Sequence, residues 1–166
     1  RTVINRYTAN QLLASGSLYF PGIGINHSLV LSAAFQQRDT VNQYRFSNNF
    51  PFARGYDAVD APRMWKWAVN YHFPVVYPDR GFGQLLYFMR IRGNVFFDYA
   101  QAQSLRTRDI FSFRSTGAEI YFDTKWWNQQ PVTVGLRYSR LLDSNIAGLN
   151  NPNRWEFILP VDLFSR

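Results

Sequence analysis

The chain has 166 residues, 46% of them hydrophobic and 18% aromatic, with 18 basic and 11 acidic side chains and a net charge of +7. That length suits one domain. The lack of cysteine excludes a disulfide framework and a thiolate metal site, and no stretch approaches the 18 consecutive apolar residues of a transmembrane helix. Only Lys66 and Lys125 are lysine, so the positive charge is almost all arginine, the side chain that pairs carboxylates bidentately and suits confined sites. The arginines are scattered, with no basic cluster and no nucleic-acid-binding motif, so nucleic acid is not an expected partner.

Along the chain, period-two alternation dominates over helical period. Arg1–Ala9 reads as a weak strand or a loop end. Leu12, Ala14, Gly16, Leu18 and Phe20 alternate up to a turn signal at Pro21-Gly22-Ile23-Gly24. Ile25 to Gln37 is a strand with Leu29, Leu31, Ala33 and Phe35 on one face. Arg38–Arg63 is then a long segment rich in Asn, Asp, Pro and Arg, and a segment of that length in a compact domain implies a function. Met64 to Phe73 is the clearest strand. It sets Trp65, Trp67, Val69, Tyr71 and Phe73 against Met64, Lys66, Ala68, Asn70 and His72.

After a turn at Pro74–Gly81, Leu86 to Tyr99 alternates Tyr87, Met89, Ile91, Gly93, Val95, Phe97 and Tyr99 with Arg90, Arg92, Asn94 and Asp98. Ile110 to Trp126 is another long run, and Asn128–Pro131 a short turn. Val132, Val134, Leu136 and Tyr138 then alternate with Thr133, Gly135, Arg137 and Ser139. Beyond a loop at Asp143–Asn153, a last strand at Arg154–Phe164 sets Trp155, Phe157, Leu159, Val161 and Leu163 against Arg154, Glu156 and Asp162. Seven strands are counted, eight if Arg1–Ala9 is one.

The strands are long. Their apolar faces carry Trp and Tyr near the ends, and their other faces carry Arg, Asn, Asp and Gly. Short connections (Pro74–Gly83, Trp127–Pro131) alternate with longer ones (Arg38–Arg63, Ala100–Asp109, Asp143–Asn153). Together these features predict an all-β fold, a transmembrane antiparallel β-barrel with lipid outside and a polar interior. Trp65, Trp67, Tyr87, Met89, Val134, Leu136, Trp155 and Phe157 are expected to face lipid. A soluble β-sandwich or lipocalin-like barrel also alternates and is the competing architecture.

One ordered set of motifs goes further. Ala53-Arg54-Gly55-Tyr56 lies in the long segment, and five strands follow it. They contain Asn70-Tyr71-His72-Phe73-Pro74, then Phe96-Phe97-Asp98-Tyr99-Ala100, then Arg114–Ala118, then Pro131–Ser139, and finally an aromatic-rich end at Phe164. From Phe50 onward the chain resembles the C-terminal half of the outer-membrane insertase superfamily, the BamA/TamA-like bacterial surface antigen group. Its signature is Val-Arg-Gly-Phe/Tyr in a loop that tucks into the barrel lumen. The first signature position here is Ala53, the acid expected before the Phe-Pro turn is absent, and Ala100 stands where the family has glycine.

The resemblance implies that residues 1–166 are the second half of a sixteen-stranded barrel with loop 38–63 folded inward, and that the chain is a fragment of a longer one. It implies residence in the outer membrane of a Gram-negative bacterium, with lipid, unfolded outer-membrane or secreted client proteins and accessory lipoproteins as partners. It implies no cofactor and no enzyme activity. Arg54, Gly55, Tyr56, Asp98 and Asn70 become the loop–lumen motif, with an Arg54–Asp98 contact pinning the loop. Trp155, Phe157, Pro160 and Phe164 become the terminal seam strand, in which Pro160 either weakens the pairing or sits at a bulge near the strand's end.

The remaining candidates are weaker. His27 and His72 lack a second ligand at metal spacing, and Asp79, Asp98, Glu119 and Asp123 form no catalytic pattern by spacing. No nucleophile elbow, P-loop or dinucleotide fingerprint is present. The alternative function is a small autonomous eight-stranded outer-membrane barrel, structural, pore-forming or lipid-modifying.

Overall fold

The computed structural model describes residues 10–39, 48–57, 59–83, 85–104, 109–127, 130–144, 148 and 151–159. The strands are β1 (Gln11–Pro21), β2 (Ser28–Arg38), β3 (Arg63–Val76), β4 (Arg80–Phe82), β5 (Leu86–Gln103), β6 (Ile110–Trp126), β7 (Gln130–Leu141) and β8 (Asn153–Ile158). They form one eight-stranded sheet in the order β1-β2-β3-β5-β6-β7-β8, with the short β4 alongside β5. Every pairing is antiparallel. A sandwich needs a second sheet, and the described residues contain only this one.

All seven strands expected from alternation are present. The eighth is the three-residue β4; Arg1–Ala9 lies outside the described residues. β8 ends at Ile158, and the remainder of the expected Arg154–Phe164 strand from Pro160 onward, Phe164 included, also lies outside them.

Register places the two faces. Phe20, Leu29, Tyr71, Val95, Ala118, Tyr138 and Trp155 fall in one row across seven strands. Phe73, Gly93, Ile120, Leu136 and Phe157 form a second. Neither row contains a charge, and Leu18, Trp65, Trp67, Val95, Leu136, Trp155 and Phe157 on this face are exposed. The opposite face carries Lys66, Asn70, Asn94, Asp98, Glu119 and Arg137, with Asn94, Glu119 and Arg137 directly opposite one another on β5, β6 and β7.

The alternation slips in two places. Pro74 has no N–H to give the ladder, and the β3–β5 register shifts between Pro74 and Val76. The β5–β6 register shifts between Phe88 and Arg90, so Phe88 pairs with Thr124 and Tyr87 with Lys125. One extra residue at Met89 reverses every side chain beyond it. Tyr87, expected on the apolar face, therefore sits on the side of Lys125, and its hydroxyl donates to Asp79 Oδ1 at 2.5 Å. A second correction concerns loop length. β5 runs on to Gln103, so its link to β6 is 104–109, no longer than the 22–27 turn; the contrast between the two ends rests on 39–62 and 142–152.

The core lies between the polar face and the long loop. Phe50, Ala53, Tyr56 and Ala61 from the loop are buried against Ala34, Met64, Ala100, Ala102, Phe113 and Leu141. Phe113 receives the rings of Phe52 at 5.1 Å and Tyr56 at 5.3 Å, both edge-on, a geometry that aligns ring edges with the π face. Beneath this layer Phe96 is 2% exposed and lies against Gly117, whose absent side chain makes its room. A Cβ at Gly117 would come within 2.0 Å of Tyr138 O and 2.8 Å of the Phe96 ring. Gly117→Ala should therefore destabilise the fold by about 1–3 kcal/mol, the usual cost of overpacking. A lower urea midpoint at unchanged slope is the expected reading, and an unchanged midpoint would contradict the packing.

Candidate functional site

The loop reaches the sheet through Arg54. Its backbone N donates to Asp98 Oδ2 at 3.0 Å, its Nε to the same oxygen at 2.9 Å, and its Nη2 to Oδ1 at 2.6 Å. The guanidinium and carboxylate thus meet as a fork, the strongest and most directional arrangement open to this pair. Nη2 also donates to Asn70 Oδ1 at 2.7 Å, and Nη1 to Glu119 Oε1 at 3.3 Å. The flat face of the group lies over the Phe96 ring, 3.6 Å from its centroid. Arginine alone has the donor geometry for three such partners together with a ring stack.

The partners are held in turn. Asp98 is fully buried and has Lys66 Nζ at 3.3 Å, while Lys66 also donates to the loop carbonyl of Phe52 at 2.9 Å. Glu119, 5% exposed, accepts from Asn94 at 2.7 Å, Tyr121 at 2.9 Å and Arg137 Nε at 2.5 Å. Arg137 continues to Glu156 on β8 at 2.9 Å. The network contains three cations (Arg54, Lys66, Arg137) and three carboxylates (Asp98, Glu119, Glu156), and so is electrically closed. Closure matters because a buried charge without a partner is strongly destabilising.

Gly55 and Tyr56 make the second fastening. Gly55 has φ +83° and lies so close to β7 that a Cβ would meet Ser139 Cβ at 2.8 Å and Leu141 Cδ2 at 2.9 Å. Both conditions call for glycine. Tyr56 donates its hydroxyl to the Arg114 carbonyl at 2.8 Å and accepts the Asp143 N–H at 3.1 Å. Arg114 and Asp143 are themselves forked together at 2.9 and 2.8 Å. Burial pushes the Tyr56 hydroxyl above its ordinary value, and the Arg114 hydrogen bonds hold the Asp143 carboxyl below the usual carboxylate range.

Arg54, Gly55, Tyr56, Asp98 and Asn70 therefore meet as one site. Asn70 supplies a neutral oxygen to the Arg54 guanidinium. Trp155 and Phe157 lie on the opposite, apolar face and take no part, while Pro160 and Phe164 lie outside the described residues. Sequence reasoning missed Glu119, Arg137, Glu156, Lys66 and Phe96, and the Arg114–Asp143 clasp. Strand parity puts the first five on the polar face; what it lacks is the register that sets them side by side. Elsewhere, His27 Nδ1 lies 2.8 Å from the Tyr71 hydroxyl. No family model matches the chain, and no curated protein or solved structure is significantly similar to it.

Arg54→Ala leaves the Asp98 carboxylate only Lys66 and the backbone N–H of residue 54, and breaking a buried pair in this way costs about 3–5 kcal/mol. The variant should lose stability on that scale and become cleavable by protease within 48–57; a loop as resistant as the wild type's would contradict the latch. The Asp143 clasp should respond to acid. A carboxyl whose folded value is depressed contributes stability above its ordinary value of about 3.9 and loses it as pH falls through the lower folded value. Amide exchange at 53–57 should therefore accelerate as pH drops below the usual carboxylate range, after correction for intrinsic exchange. Asp143→Asn should abolish that step, and an identical step in this variant would assign it to another group.

Proposed function

We propose that this chain forms part of a β-barrel that spans the outer membrane of a Gram-negative bacterium. Its work there is to insert barrel proteins into that membrane or to secrete chains across it. The observation that carries the reading is the Arg-Gly-Tyr loop latched by Asp98 to the polar face of a sheet whose other face carries two apolar rows without a charge. A lumen-facing latch behind a lipid-facing wall needs that two-sided arrangement. The motif order in the sequence supplies the family resemblance, and the latch gives the motif a physical role.

In this reading the strands do the crossing; no helix among the described residues is long and apolar enough to cross a membrane. Lipid does not tolerate unpaired backbone edges. β1 and β8 are the two ends of the sheet among the described residues, so further strands of a sixteen-stranded barrel would close it. Client chains and accessory lipoproteins are the protein partners, and the polar face with its loop is the working surface.

Full-length protein in liposomes, given a urea-unfolded outer-membrane barrel as client, tests this directly. Protease-protected client should accumulate faster than in empty liposomes, and Arg54→Ala should slow it. Equal rates in empty and loaded liposomes would end the proposal. The facing is tested separately. Leu136→Arg places a charge in the apolar row and should cost about 2–4 kcal/mol of folding stability in lipid; a neutral effect would contradict a lipid-facing Leu136. A closed, monomeric eight-stranded barrel formed by these residues alone would shift the reading to the small autonomous barrel.

A further inference from the structure

The polar face divides into two electrical zones. The zone under the loop is neutral, as described above. The zone toward the short turns is not. There Arg90 Nε lies 2.5 Å and Arg92 Nε 3.1 Å from the same oxygen, Asp123 Oδ2. The remaining Asp123 oxygen accepts from Thr133 at 2.8 Å. Lys125 shares this face by register and makes no ion pair among the described residues. Three cations thus face one carboxylate. Asp79, in the turn at this end, is engaged by Tyr87 and followed by Arg80.

The excess charge is available to a ligand. The Arg90 and Arg92 side chains are 52% and 40% exposed. Arg92 lies with its guanidinium 4.8 Å from the Tyr121 ring centroid. Its Nε is buried and makes no hydrogen bond among the described residues, so what a ligand meets is the exposed remainder of the side chain. A cationic group resting on an aromatic face is held in place for a partner. Arg90 and Arg92 are alternate residues on one strand face, so their backbones lie about 6.5–7 Å apart. That is also the spacing of alternate side chains on any extended peptide, so the two guanidinium groups, which converge on one Asp123 oxygen in this structure, can meet two carboxylates at i and i+2 once they release it.

We infer that this zone is a docking surface for an extended acidic segment of a client chain, with Arg90 and Arg92 pairing carboxylates two residues apart and Lys125 adding to the attraction. The inference rests on the proposed function only in taking the occupant to be a client. It adds that selection favours clients presenting acidic residues at alternate positions to the short-turn end.

The test uses full-length protein folded in uncharged detergent micelles and a fluorescent peptide of five Glu-Ser repeats, with binding read by anisotropy. The Glu-Ser peptide should bind, and a Lys-Ser peptide should not. Arg90→Gln with Arg92→Gln should weaken binding by about fivefold or more, on the scale of partly exposed charge pairs. Asp123→Asn, which removes the competing carboxylate, should strengthen it, and Arg140→Gln, at the far end of β7, should leave it unchanged. Added salt should weaken it. Inorganic phosphate at matched ionic strength should compete no better than chloride, because it lacks the two-point spacing. Binding that is absent, insensitive to both the Arg90/Arg92 and Asp123 changes, or equally strong for the lysine peptide would overturn the inference, as would full displacement by phosphate. The assay involves no insertion step. A failed insertion experiment with intact peptide binding would refute the proposed function alone, and the reverse would refute only this surface.

Discussion

Arg54 carries a full charge into a place with little water, and the rest of the polar face is arranged around that fact. A guanidinium there needs acceptors on several sides and a surface to lie on. Four strands supply them: β3 gives Asn70, β5 gives Asp98 and Phe96, β6 gives Glu119, and β7 steadies Glu119 through Arg137. The fork to Asp98 uses both the side chain and the backbone N of Arg54, so it fixes the loop backbone as well as the charge. With the backbone fixed, Gly55 can press against Ser139 and Tyr56 can reach Arg114 and Asp143.

The same constraint explains the distribution of residues over the sheet. The loop provides the apolar cover for one face, with Phe50, Ala53 and Tyr56 buried on Phe113, Ala100 and Leu141. It therefore takes the place of the second sheet in a sandwich. The other face has no such cover among the described residues, yet carries Trp67, Val95, Leu136, Trp155 and Phe157 exposed. An uncovered apolar surface spread over seven strands calls for an apolar solvent or a partner. Lipid is the answer in the proposed function, and it leaves the polar residues to the side where the loop sits.

Much of this was legible in the sequence because period-two alternation needs no knowledge of partners. The strand from Met64 to Phe73 declared both faces by itself, and parity put Asp98 on the polar face; that the Arg54 loop covers that face was an expectation of the resemblance. What was not legible depended on register. Glu119 could have been any inward carboxylate until β5 and β6 set it opposite Asn94, and β7 set Arg137 opposite it. The bulge at Met89 left no mark that would distinguish it, since neither glycine nor proline stands there, and so Tyr87 was placed on the wrong face. The Pro74 slip had a visible cause but not a visible extent. The Arg114–Asp143 clasp joins a strand to a loop, and no spacing rule connects the two.

The central claim is that one face of this sheet meets lipid while the other meets the latched loop, and β3 offers the cleanest place to measure it. These 166 residues contain no cysteine, so once any cysteine elsewhere in the full-length protein is replaced by serine, single cysteines can be placed one at a time from Met64 to Phe73, and the protein labelled with a nitroxide and reconstituted in liposomes. The account predicts that labels at 65, 67, 69, 71 and 73 are relaxed by oxygen dissolved in lipid and shielded from a water-soluble nickel chelate. Labels at 64, 66, 68, 70 and 72 should lose that oxygen preference, reporting water or the contact of the loop. Accessibility with no period of two along this strand, or with the two sets exchanged, would contradict it.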